Sequence, residues 1–192
     1  MKRILSTIIV LIVTIQFYGQ TIDVNNFDEK LFEKILFHEM IEFRKSIGKD
    51  SLVWSDVLYS NISKSNTQKM IDENKLFHPD QSDIWTIDLK NKLGDELVDK
   101  QKVKIFKSQF SGPMFSTSEI AAKIPVSFVT TYEELAVRVI KGWDGSEYHS
   151  EIQRMKMTND GGLAMASCSV KLSKDKKNFF IEFDFSIPYC IE

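Results

Sequence analysis

The chain has 192 residues, with 25 Lys plus Arg against 27 Asp plus Glu and a formal net charge of −2. No surplus of basic charge is available to neutralise a phosphate backbone, which excludes the nucleic-acid-binding class. With 43% hydrophobic residues, 8 Gly and 4 Pro, the composition is that of a folded domain and not of a collagen-like, repeat or disordered sequence.

The N-terminus carries Lys2 and Arg3, then an almost unbroken apolar run from Ile4 to Phe17, then Gly19. This is the layout of a secretory signal peptide, with cleavage expected near Gly19–Gln20. As a helix the run rises only ~21 Å against roughly 30 Å of hydrocarbon, so it is short for a permanent span. Residues 1–20 are therefore read as a leader and 21–192 as one domain, secreted or periplasmic. Membrane contact is expected only through an uncleaved leader.

From 28 to 47 the apolar residues Leu31, Phe32, Ile35, Leu36, Met40, Phe43 and Ile47 recur every three to four positions, which predicts an amphipathic helix. Asp28 suits its N-cap, and Gly48 suits a left-handed residue beyond its end. A second helix fits 55–74, capped by Ser55 or Asp56, with Leu58, Ile62 and Met70 on one side and a more polar face elsewhere. The stretch 79–117 mixes polar and isolated apolar residues and reads as an irregular connection holding a short strand at Val103 and Ile105. A third helix is expected over 131–141, stopped by Gly142 and followed by a tight polar turn.

After the turn cluster Asn159, Asp160, Gly161 and Gly162, two strand-like segments follow, 163–172 and 178–187, joined about Lys174–Lys177. In the second, Phe179, Ile181, Phe183 and Phe185 alternate with Phe180, Glu182, Asp184 and Ser186, which reads as one buried and one wet face. Helices packed on such a hairpin make an α+β fold. Export would permit a Cys168–Cys190 disulfide, but the hairpin register sets Cys168 opposite Phe183. Cys190 is then about 23 Å along the strand at ~3.3 Å per residue, beyond disulfide reach unless the chain doubles back after Pro188.

Motifs with local chemistry are few. His38-Glu39 begins like the zinc-protease pattern HExxH, but Glu42 stands where the second His is required, so His38 reads as a helix-surface residue. No phosphate-binding Gly-rich loop and no nucleophile elbow occurs. His78 and His149 remain, and by themselves, 71 residues apart and without local geometry, they read as two exposed loop histidines.

Their context changes that. The first helix with Glu42 and Arg44, then Leu52-Val53-Trp54, then a polar helix ending in Phe77-His78, resembles the start of the bacterial CAP family, also called SCP-like extracellular proteins. Ser118-Glu119-Ile120-Ala121-Ala122 stands where that family has G-E-N-I-A. Trp143, Ser146 and His149 are similar to its W-x-x-S-x-x-H element, and Gly161–Gly162 with the Phe-rich last strand completes the order. Ser118 and Ile120 depart from the family's Gly and Asn.

The resemblance implies an α-β-α sandwich, with helices on both faces of a three- or four-stranded antiparallel sheet. It also implies a cleft formed by His78, Glu119 and His149, with Glu133, Glu134 or Glu147 as candidates for a second acidic member. A carboxylate near two imidazoles would raise their proton affinity, or the three would offer N,N,O donation to zinc or another divalent cation. Trp54 and Trp143 would be structural residues, not ligand-stacking ones.

The leading expectation is a secreted binding module whose cleft holds a divalent cation or small polar ligand. One alternative is a metal-dependent hydrolase, peptidase or esterase, in which Glu119 cannot be ligand and free base at once. Another is an envelope interaction protein with a vestigial cleft.

Overall fold

A computed structural model describes residues 19–78, 85–101, 107–108, 112–113, 115–154 and 164–188. The leader, the turn cluster 159–162, the strand expected at Val103 and Ile105, and Cys190 lie outside these residues.

Helix α1, Glu29–Ser46, begins where Asp28 accepts a hydrogen bond from the Leu31 amide, and beyond its end Gly48 takes a φ of 68°. That left-handed conformation suits glycine because a Cβ would crowd the following carbonyl. After strand β1, Leu52–Trp54, the chain enters a composite helix, α2. It runs without a break through Asp56–Leu58, the π-helical stretch Tyr59–Ser63 and Lys64–Glu73. Ser55 caps it, accepting from the Leu58 amide, and Asn74 ends it in the left-handed region.

The next segment corrects the expectation of an irregular connection, since Ile87–Gln101 forms helix α3. Leu89, Leu93 and Leu97 recur every fourth residue and are buried against Leu58 and Ile62 of α2 and Met165. One apolar residue per turn is too narrow a stripe to stand out among charges, but it fits a helix that lies along another helix. Glu96 of α3 also accepts from the Ser55 hydroxyl at 2.5 Å and the Asp56 amide at 2.8 Å, placing a carboxylate on the positive N-terminus of α2.

Strands β2, Lys107–Ser108, and β3, Gly112–Pro113, pair as a small antiparallel ribbon before the long strand β4, Phe115–Pro125. Helix α4, Tyr132–Asp144, is launched by a capping box: the Glu134 amide donates to Thr131 Oγ1 and the Thr131 amide to the Glu134 carboxylate, both at 3.2 Å. Thr131→Ala should cost about 1 kcal/mol, measured as a drop in the denaturant midpoint without change in slope. An unchanged midpoint would mean that tertiary packing alone holds the first turn. Gly142 does not stop α4, which continues to Asp144 because Trp143 is anchored in the core. The expected polar turn is present at Gly145–Ser146, but it leads into an unexpected helix α5, Glu147–Arg154, tied to the end of α4 by Arg154 bonds to Asp144 at 2.8 and 3.0 Å.

Strands β5, Ala164–Leu172, and β6, Asn178–Pro188, form the expected hairpin, with Cys168 opposite Phe183. The sheet runs β1-β5-β6-β4. Its three long strands are antiparallel, while the short edge strand β1 runs parallel to β5, a pairing the hairpin pattern does not reveal. Helices α1, α4 and α5 cover one face and α2 with α3 the other, giving the α-β-α sandwich. Cys168 is buried and free, with its thiol pushed up well above the ordinary range by burial. Among the described residues, no helix is long and apolar enough to cross a membrane.

The core under α1 and α4 is mainly apolar, with Phe179, Ile181, Phe183 and Phe185 meeting Phe32, Leu36, Leu135 and Trp143; Glu33 and Arg44 of α1 are buried charged exceptions. The opposite face of β6 was expected to be wet. It is buried instead: Glu182 is 0% and Asp184 3% exposed, beneath α2. Two polar surfaces, one on a helix and one on a sheet, have packed against each other.

Candidate functional site

The polar layer is assembled residue by residue. From α2, Ser63 donates to Asp184 and bonds Ser167 Oγ at 2.6 Å, Asn66 donates to Glu182 Oε1 at 2.7 Å, and Thr67 meets Ser169 Oγ at 2.8 Å. Ser63 belongs to the π-helical stretch, whose extra residue per turn alters which side chains face the sheet. Glu119 stands on β4 directly opposite Asp184 of β6, and Glu182 opposite Ala121. One carboxylate oxygen each from Glu119, Glu182 and Asp184 falls within 4.8 Å of the others.

His78 reaches this cluster from the far end of α2. Phe77 packs with Met70, Ile71, Ala121 and Phe180 and carries the Lys69 ammonium 3.6 Å from its ring centre, which fixes the adjacent backbone. From there His78 Nδ1 lies 2.5 Å from Glu119 Oε1, with the imidazole itself largely exposed. The other oxygen, Glu119 Oε2, is buried with no hydrogen-bond partner among the described residues, as is Ser186 Oγ, whereas the carboxyls of Glu182 and Asp184 are hydrogen-bonded to each other.

His149 lies on α5, not in a loop. The spacing from Trp143 has a local reason: Trp143 is buried and donates from Nε1 to the Ala121 carbonyl at 3.0 Å, Ser146 starts α5, and His149 comes one turn later. Because Ala121 is two residues from Glu119 on β4, this bond registers α5 against the strand that carries the carboxylate. His149 is half-buried and held below its ordinary pKa, first by burial and then by the charge of His78. A raised proton affinity beside Glu119 was expected; for His149 the opposite holds, because burial disfavours its charged form and the His78 imidazole adds to this.

Burial governs the carboxyls. It raises Glu119, with the His78 bond pulling it partly back, and pushes Asp184 up to about 7. Glu182 is driven well above the carboxylate range by burial and by the charges of Asp184 and Glu119. The protonated cluster is neutral and hydrogen-bonded; the ionised cluster is a buried concentration of negative charge with imidazole nitrogen at its edge. Such a set can retain protons or accept a cation.

Of the candidates for a second acid, Glu134 is engaged at the N-terminus of α4, where its carboxylate also accepts from the Thr130 amide at 2.8 Å, and Glu147 is exposed at the start of α5. The acids beside Glu119 are Glu182 and Asp184, which the alternation of β6 had placed toward solvent. A usable signal existed in the polar face of α2: Ser63, Asn66 and Thr67 are buried and require polar partners.

Of the two tryptophans expected to be structural, Trp143 lies in the core. Trp54 is half-buried, with Nε1 donating to Asp56 Oδ1 at 2.9 Å. It forms one wall of an open groove of about 570 Å³ with Phe37, Tyr59 and the buried Glu33. His38 stands exposed at the rim of this groove, away from the cleft.

Against known structures, the chain is similar to an outer surface protein from Borrelia burgdorferi, at 20% identity and a TM-score of 0.53 over 88% of this chain and 98% of that one. The fold is CAP-like. This rests on the α-β-α sandwich with its elements in the order that the sequence resemblance implies, and the likeness to the Borrelia protein extends over nearly all of that chain. An extracellular SCP-domain protein from Bacillus anthracis is similar at 17% identity and a TM-score of 0.42, over 82% of this chain and 40% of that one. Venom allergen-like protein 4 from Schistosoma mansoni stands at 11% identity and 0.45, over 82% and 88%. No protein-family model matches the sequence, and no curated protein matches it either.

Proposed function

We propose that this CAP-like chain is an extracellular or surface binding module whose cleft, His78, Glu119 and His149, holds a divalent cation or a small polar ligand. The observation that carries this reading is the 2.5 Å contact of His78 Nδ1 with Glu119 Oε1, beside a buried Glu119 Oε2 without a partner among the described residues. A half-exposed imidazole on an almost buried carboxylate presents a ring that a ligand can reach, with an unpaired acceptor behind it. The depressed pKa of His149 favours the neutral imidazole that ligation needs. The leader-like N-terminus supports export, and so does the likeness to a protein described as an outer surface protein.

The donor types suit zinc, since two imidazoles and a carboxylate are ordinary zinc ligands and a bound ion would supply a Lewis-acid centre; the ligand atoms of His78, Glu119 and His149 do not converge on one point in this structure, so binding would draw His149 toward the other two. In differential scanning fluorimetry at pH 7.5, zinc should raise stability by RT ln(1 + [L]/Kd), ~2.7 kcal/mol at a hundredfold excess over Kd. His78→Ala and His149→Ala should each abolish the shift and leave metal-free stability almost unchanged, while His38→Ala should retain it. The shift should fade at acid pH, where imidazoles protonate. An equal zinc shift in the double His78/His149 variant would overturn the site.

A further inference from the structure

An open groove of about 570 Å³ lies apart from the cleft, where α1 and α2 meet over the short edge strand β1, and its volume is that of a small-molecule site. We propose that this groove, walled by Phe37, Trp54 and Tyr59 and carrying the carboxylate of Glu33, binds a small soluble quaternary-ammonium zwitterion of the phosphocholine type. The ammonium sits against the rings and Glu33, and the phosphate at Lys30 and Lys34.

The rings are turned toward one another and fixed from behind. Phe37 and Trp54 have centres 5.2 Å apart at 78°, and Trp54 and Tyr59 have centres 5.4 Å apart at 42°. Phe37 stacks on Phe183 of the core, the Trp54 indole donates to Asp56 Oδ1 at 2.9 Å, and the Tyr59 hydroxyl donates to Glu33 Oε1 at 3.3 Å. The wall is therefore in place before a ligand arrives, which lowers the ordering cost of binding. Aromatic faces attract a cation through the ring quadrupole, and quaternary ammonium groups are the cations that such cages recognise.

Glu33 decides the sign of the charge held there. It is only 5% exposed, it accepts from the Tyr59 hydroxyl and the Val170 amide, and no ammonium pairs with it among the described residues. Lys171, whose charge acts on it, is bound to Glu29 at 2.6 Å. Burial without a counter-ion pushes Glu33 up to about 7, so a ligand cation supplies the partner that the fold withholds. A metal ion is unsuited, because rings stand where it needs oxygen or nitrogen donors. A primary ammonium is unsuited as well, since its three N–H groups each require an acceptor and two positions on Glu33 are already taken. Lys30 and Lys34, one turn apart on α1, are exposed and form no ion pair among the described residues. They repel a simple cation but match one that carries its own anion, which selects a zwitterion. Asp56 does not compete for the ligand, being held by Lys100 at 3.3 Å.

The test is calorimetric titration of phosphocholine at pH 8 into the full chain purified from an exporting host. Saturable one-to-one binding is expected, with phosphoethanolamine, which has the same charges but no methyl groups on nitrogen, at least about tenfold weaker. Glu33→Gln and Trp54→Ala, each folded by circular dichroism, should weaken phosphocholine at least about tenfold. The double variant Lys30→Ala/Lys34→Ala should lose affinity for phosphocholine while keeping or gaining affinity for tetramethylammonium. His78→Ala should bind phosphocholine as the wild type does, and loss of binding in it would place the ligand in the cleft and overturn the groove. Absence of saturation at millimolar concentration, equal affinity for phosphoethanolamine, or unaltered affinity in both Glu33→Gln and Trp54→Ala would also overturn the site. Adsorption to phosphatidylcholine vesicles without affinity for soluble phosphocholine would overturn it in favour of a membrane surface.

Discussion

Between pH 5 and pH 8 the metal-free protein is expected to lose several kcal/mol of stability. The cause is the retention of protons by buried acids: Asp184 is pushed up to about 7 by burial, Glu33 of α1 likewise to about 7, and Glu182 well beyond the carboxylate range. In the unfolded chain these groups release their protons near pH 4, so above that pH the folded state binds more protons than the unfolded state. Stability must then fall as pH rises from about 4 through 7, at ~1.4 kcal/mol for each unit of pKa difference. His149, with its pKa lowered, acts in the opposite sense, and only below its unfolded value of 6.5.

Asp184→Asn and Glu182→Gln preserve shape and the acceptor oxygens used by Ser63 and Asn66 while removing the ionisable group. Each should stabilise the metal-free protein at pH 8 by ~1–4 kcal/mol, have little effect at pH 5, and flatten the profile. Urea denaturation in EDTA across this range is the measurement. A wild-type profile that climbs from pH 4 to 7, or carboxamide variants with the wild-type slope, would show that these acids are ionised in the folded protein.

The second large effect is expected for Trp143→Ala, a loss of about 3–5 kcal/mol. Trp143 is 2% exposed, packs edge-on to Phe183 with ring centres 6.4 Å apart, and its indole donates to the Ala121 carbonyl. Removing it leaves both a cavity and a buried carbonyl without its donor, and loosens α5 from β4, so His149 should shift relative to Glu119. The zinc response should therefore weaken along with the unfolding midpoint. If the midpoint fell by less than the equivalent of ~1 kcal/mol, the residue would not be the anchor described. Trp143→Phe, which restores most of the volume but not the hydrogen bond, should recover the larger part of the loss.

Helices α1 and α2, their caps Asp28 and Ser55, and the register of the β5–β6 hairpin were legible because each is a local matter. Apolar spacing, a side chain that bonds an amide three residues on, and a turn about Lys174–Lys177 need no distant partner. Helix α3 was not legible, since its single row of leucines acquires meaning only against Leu58 and Ile62. Gly142 misled for the same reason: its intrinsic tendency to end a helix is outweighed by the burial of Trp143 immediately after it.

What the sequence determined by itself was the alternation of β6 and the fragments that single out His78, Glu119 and His149. What only the tertiary structure decided was the side to which Glu182 and Asp184 belong. Alternation separates two faces of a strand but cannot say whether the polar one meets water or another polar surface. That depends on α2, whose Ser63, Asn66 and Thr67 replace water as hydrogen-bonding partners and bring two further carboxylates under the same cover as Glu119.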